Sequence, residues 1–165
     1  MPRLNEQELA DFLDEPGHLL RLATTDDTGM PVVVPVWFIR QDDLLLVTPR
    51  ARSAWRRHLE RDTRTCFSID EDPAPYRKLT VQGTVRVVHP LGEDDAWRDT
   101  YRRIACRYVP ERSADAYLTN TWNEPRALLG LPWQGPEVTI STWRMPVAGE
   151  DARGVWADKY YGAQV

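Results

Sequence analysis

LATTDDTGMPVVVPVWFIRQDDLLLVTPRARSAWRRHLERDTRTCFSIDED, residues 22–72, is the stretch whose reading decides the fold. Apolar, β-forming runs at 32–39, 44–47 and 66–69 are bounded by the turn signals Asp-Thr-Gly, Gln-Asp-Asp and Asp-Glu-Asp. That pattern predicts two strands joined by a turn, a third strand, a helix, then a fourth strand. Within residues 50–64 fall Arg50, Arg52, Arg56, Arg57, Arg61 and Arg64. Inside the same segment Ala51, Ala54, Trp55, His58 and Leu59 recur at helical spacing and form an inward face. A strand that ends against a basic helix suggests a phosphate pocket, since hydroxyls, helix-start N–H groups and guanidinium forks all suit a dianion. Thr48, Ser53, Arg52, Arg56 and Arg57 are the side chains placed to converge there.

Upstream, Asn5 with Glu8 three residues on forms a capping box, and Leu4 with Leu9 a hydrophobic staple. Leu9, Phe12 and Leu13 then share one face until Pro16-Gly17 ends the helix. Residues 18–25 read as the first strand. The second carries Pro31 and Pro35, which suits an edge or irregular pairing because proline cannot donate to a ladder. Downstream, 76–89 alternates as one strand with Leu79, Val81, Gly83, Val85 and Val87 on one face. Gly83 marks a bend or a close approach. Residues 93–109 form the clearest helix, 113–119 add a turn or two, and 126–131 and 137–143 are closing strands. The tail from Met145 shows no clear period.

A chain of 165 residues fits one domain over 1–165. Hairpins and meanders with few helices predict a mainly β fold, an antiparallel β-barrel with α-helices. The net charge of −4 argues against a general nucleic-acid binder. With no long apolar run and a polar, acidic start, the expectation is a cytoplasmic protein without a membrane segment. Cys66 and Cys106 lie in apolar contexts without metal spacing and are expected to be buried free thiols. His18, His58 and His89 show no ligand spacing, and GxGxxG, P-loop, HExxH and GxSxG motifs are all missing. No metal ligand and no catalytic acid or base is assigned.

The ordered set of Gly29-x-Pro31, Pro35-Val36-Trp37-Phe38, LLLVT at 44–48, the Arg-rich helix and YRKLTVQGTVRVV at 76–88 resembles the pyridoxamine 5′-phosphate oxidase-like family. The likeness covers about half the chain. It implies an FMN-binding split β-barrel homodimer with a flavin in each interface cleft. By position, Val34, Pro35, Val36 and Trp37 would line the isoalloxazine. Val47 and Thr48 would meet the ribityl and phosphate with Arg52, Ser53, Arg56 and Arg57, while Lys78 would lie near the ring's polar edge. Trp55 stands where the family's phosphate-binding helix has Lys, and Val34 where true oxidases have Arg. The implied function is an FMN-dependent oxidoreductase moving hydride to or from a small organic substrate. The alternatives are an F420-dependent reductase on the same fold, or a non-catalytic flavin- or haem-binding stress protein.

Overall fold

A computed structural model describes residues 3–146. The chain begins with α1 (Glu6–Asp14), β1 (Leu20–Thr25), β2 (Pro31–Val36), β3 (Ile39–Gln41), β4 (Leu44–Val47) and α2 (Ala54–Arg61). It continues with β5 (Arg64–Asp70), β6 (Lys78–Thr84), β7 (Arg86–His89), α3 (Arg98–Cys106), α4 (Glu111–Asn120), β8 (Leu128–Pro132) and β9 (Thr139–Trp143). The strands make two antiparallel sheets, ordered β2-β1-β5-β6-β9 and β3-β4-β8-β7. Among the described residues no helix is long and apolar enough to cross a membrane.

Two expected single strands are each divided between the sheets. The run 32–39 breaks at Trp37-Phe38, with β2 in one sheet and β3 in the other. These neighbours face different cores: Phe38 is fully buried in the main one, and Trp37 packs on a second cluster beneath α3 and α4. Strict alternation therefore fails there. The run 76–89 breaks at Val85, whose N–H turns to the Thr63 carbonyl at 2.9 Å. Leu79, Val81 and Val85 are buried as expected, whereas Val87 is exposed. Gly83 is the predicted close approach, since a Cβ there would lie 3.0 Å from Val138 Cγ1.

The mainly β fold with helices is as expected, but the sheets do not close into one continuous barrel among the described residues. β2 stays an edge strand, and Pro31 and Pro35 lie in it, where a missing donor breaks no ladder. β4 explains its unbroken apolar run differently. Leu45 and Val47 enter the main core while Leu46 enters the second, so both faces are covered.

The helices follow local chemistry. Asn5 and Glu8 form the reciprocal capping box of α1, with Leu4 and Leu9 both buried. The segment 93–109 is shorter as a helix than expected, a single 3-10 turn at Asp94–Ala96 preceding α3. α4 is longer than expected, because Ala114 and Leu118 sit one turn apart in the second core. Residues 126–131 and 137–143 shrink to β8 and β9, which join different sheets. Cys66 and Cys106 are free but only half-buried. Of the tryptophans expected as core or dimer contacts, Trp133 is buried, Trp122 is exposed and Trp156 lies outside the described residues.

Candidate functional site

The end of β2, the residue after β4 and the first turn of α2 meet at one cleft of about 230 Å³. Pro35, Val36, Trp37, Thr48 and Trp55 form one side, and Tyr101, Tyr117 and Arg126 the other. Trp37 is held in place by stacking on Tyr108, with ring centroids 5.0 Å apart and planes within 2°. The Tyr108 hydroxyl in turn donates to the His18 carbonyl at 2.8 Å and accepts from the Phe38 N–H at 3.1 Å. One side chain thus satisfies the backbone where the chain changes sheets. Burial pushes the Tyr108 phenol above its ordinary value.

The floor is cationic. Arg126 is only 5% exposed. Its Nη1 donates to the Thr48 carbonyl and its Nη2 to the Tyr117 hydroxyl, each at 3.1 Å. Its guanidinium lies over the Tyr101 ring at 4.4 Å. The Tyr117 hydroxyl also accepts from Arg50 Nη2 at 3.0 Å. Burial opposes ionisation of Tyr117, but the neighbouring Tyr101 hydroxyl and the Arg50 and Arg126 guanidiniums outweigh it and lower its pKa. Burial raises that of Tyr101. Outside the floor, Glu124 pairs with Arg50 Nε and Arg52 Nη2, both at 3.0 Å.

The residues expected to bind a cofactor are partly gathered here. Pro35, Val36, Trp37 and Thr48 line the cleft. Val34 packs half-buried on the main core, and Val47 is wholly inside it. Ser53 occupies the N-cap position of α2, yet its side chain makes no capping bond. Arg52 lies on the rim beside Glu124, and Arg57 Nη1 returns to the Arg52 carbonyl at 3.1 Å. Arg56 turns the other way: its Nε bonds the Ala51 carbonyl, Nη1 pairs with Glu60, and it lines a separate groove. Lys78 is exposed at the start of β6, its Nζ 5.6 Å from the Trp143 ring centroid, and does not line the cleft.

Sequence reasoning did not single out Arg126, Tyr101, Tyr117, Tyr108 or Glu124 as site residues. Tyr101 and Tyr108 carried only a helix-face signal, and Arg126 looked like any arginine opening an apolar strand. Elsewhere Glu15, His18 and Glu71 offer ligand atoms within 4.8 Å of one another. That cluster holds a guanidinium: Arg77 bonds Glu15 and Glu71 at distances of 2.6–2.9 Å.

No curated protein matches the chain. The solved structures do. The haem storage protein HutZ of Vibrio cholerae is 21% identical with a TM-score of 0.60, over 84% of this chain and 95% of that one. An FAD- and haem-binding protein of Mycobacterium smegmatis is 23% identical with a TM-score of 0.60, over 87% and 75%. A protein described as an F420 reductase is 20% identical with a TM-score of 0.57, over 86% and 98%. At these identities the likeness is one of fold. The family model for pyridoxamine 5′-phosphate oxidase matches residues 6–131, a span that runs from α1 into β8 and takes in every wall of the cleft. The chain therefore belongs to the pyridoxamine 5′-phosphate oxidase family.

Proposed function

We propose that the chain is a flavin-type oxidoreductase that binds FMN, or the deazaflavin F420 in its place, and transfers hydride to or from a small organic substrate. The single observation that carries this reading is the convergence of an edge strand, the end of β4 and the start of the basic helix on one aromatic, cationic cleft. The residues suit such a cofactor. The first N–H groups of α2 have no side-chain cap, and the Thr48 and Ser53 hydroxyls, with Arg50 and Arg52, stand around that helix start. This is the donor set a phosphate needs. Trp37, fixed by Tyr108, and Pro35 give a planar ring an apolar wall that keeps water out. When bound, the cofactor supplies the hydride chemistry, and the protein supplies orientation and electrostatics.

A cleft of about 230 Å³ is below the roughly 300–1,000 Å³ usual for an organic ligand. That supports a homodimer in which a second copy completes each site, with Lys78 acting at the second copy's cleft. Solved relatives described as binding FAD and haem, or as an F420 reductase, support a cofactor of this class. Trp55, in the cleft where the family has Lys, favours a second reading: a flavin- or haem-binding protein without turnover.

The test is to titrate the purified protein with FMN, F420 and haem, then add NADPH or reduced F420. Micromolar binding of FMN or F420 followed by reduction supports the enzyme. Binding without reduction supports the second reading, and failure of FMN and F420 to bind overturns the proposal.

A further inference from the structure

Arg126 is a buried cation without a counter-ion. Its backbone N–H takes Asp94 Oδ1 at 2.9 Å. Yet among the described residues no carboxylate lies within ion-pair distance of its guanidinium, and the nearby Glu124 is committed to Arg50 and Arg52. Its partners are a carbonyl, a hydroxyl and two aromatic rings. Its Nε is buried and has no acceptor, and the buried Tyr101 hydroxyl, beside that of Tyr117, makes no well-formed hydrogen bond. A buried charge is costly unless it is paired and hydrogen-bonded, and a donor left without an acceptor adds to that cost. Both features are explained if an anion enters the cleft.

The remaining donors define the anion. Two of the five guanidinium N–H groups are already used, which leaves three, that of Nε among them, beside the Tyr101 phenol. The Nε edge of a guanidinium presents two parallel N–H donors, the fork that a planar carboxylate matches. Trp37, Trp55, Tyr101 and Tyr117 make the surroundings aromatic, and the volume of about 230 Å³ admits a molecule of one ring. We infer that the Arg126–Tyr101 end of the cleft is a subsite for the carboxylate of a small planar organic anion. That this anion is the substrate rests on the flavin-type reading above; that the subsite takes a carboxylate does not.

The probe is 4-fluorobenzoate, followed by fluorine NMR on the full chain, with 4-fluorobenzamide as the uncharged control. Saturable binding of the benzoate, with little binding of the benzamide, is expected. Arg126→Met should weaken it on the order of tenfold or more, the worth of a charge-assisted hydrogen bond. Tyr101→Phe, which keeps the ring, should weaken it by less and serves if Arg126→Met does not fold. No benzoate binding, or equal binding of the two probes, overturns the subsite. Displacement of the benzoate by inorganic phosphate, together with loss of FMN binding in Arg126→Met, also overturns it and gives the subsite to the cofactor. FMN binding without benzoate binding sinks the subsite alone. Benzoate binding without FMN or F420 binding sinks the flavin reading and leaves the carboxylate subsite standing.

Discussion

Arg77 and Arg126 are both largely sunk in the protein, and they are satisfied in opposite ways. Arg77 lies over the Phe12 ring and forks onto two carboxylates, Glu15 at the C-cap of α1 and Glu71 after β5. Every donor nitrogen has an acid acceptor, and the node ties the N-terminal helix to the β5–β6 connection. Arg126 is more deeply buried, has no acid partner for its guanidinium among the described residues and leaves its Nε without an acceptor. A buried pair that is complete within the chain does structural work. A buried charge that is incomplete within the chain points outward, to something that arrives later. The same residue type thus marks a clamp at one end of the fold and a candidate site at the other.

The contrast can be broken most directly at the clamp. Arg77→Met leaves Glu15 and Glu71 close together and uncompensated, and should cost about 3 kcal/mol, the low end for a broken buried pair because Arg77 is a fifth exposed. That is roughly 10 °C in the unfolding temperature of a domain this size. An unchanged melting curve would remove the clamp from the account. The acid limb of stability sharpens the same point. Hydrogen bonds from Arg77 hold the Glu15 and Glu71 carboxyls below their ordinary values. Their contribution is therefore fully present above the ordinary carboxylate range and is lost as the pH falls through the depressed native values. Wild type should lose stability steeply on that limb, and Arg77→Met should show a flatter dependence there, read from urea unfolding at stepped pH.

Tyr108→Phe tests a buried polar group that is fully partnered beside the cleft. It leaves the Phe38 N–H and His18 carbonyl without their shared hydroxyl and should cost about 1–2 kcal/mol. Arg52→Ala removes an exposed pairing to Glu124 and should change stability by less than about 0.5 kcal/mol. Its effect belongs instead to cofactor binding, where loss of a rim cation should weaken FMN without altering the melting curve. A stability loss as large as that of Arg77→Met would show that the rim is structural.

How much of this was legible in the sequence follows from the range of the interactions. α1 could be read to its cap because Asn5, Glu8, Leu4 and Leu9 act over five residues. Leu59 of α2 and Tyr101, Ile104 and Ala105 of α3 could be placed inward because periodicity is local, whereas Ala54, expected on the same face as Leu59, is exposed at the start of α2. The sheet changes at Trp37-Phe38 and Val85 could not, since they depend on which of two cores accepts each side chain. The strand side of the cleft, Pro35 to Trp37 and Thr48, came from an ordered motif. Its floor did not. Arg126 is buried because α3 and α4 bring Tyr101 and Tyr117 across it, and nothing near residue 126 in the chain encodes that cover.

The central claim is that Arg126 is kept for a ligand rather than for the fold. The most direct measurement is thermal unfolding of Arg126→Met beside Arg77→Met in the ligand-free protein. Exchanging an unpaired buried charge for an apolar chain of similar length should leave Arg126→Met within about 1 kcal/mol of wild type, or slightly more stable, while Arg77→Met falls well below both. A loss for Arg126→Met equal to or larger than that for Arg77→Met would contradict the claim and make Arg126 a second structural clamp.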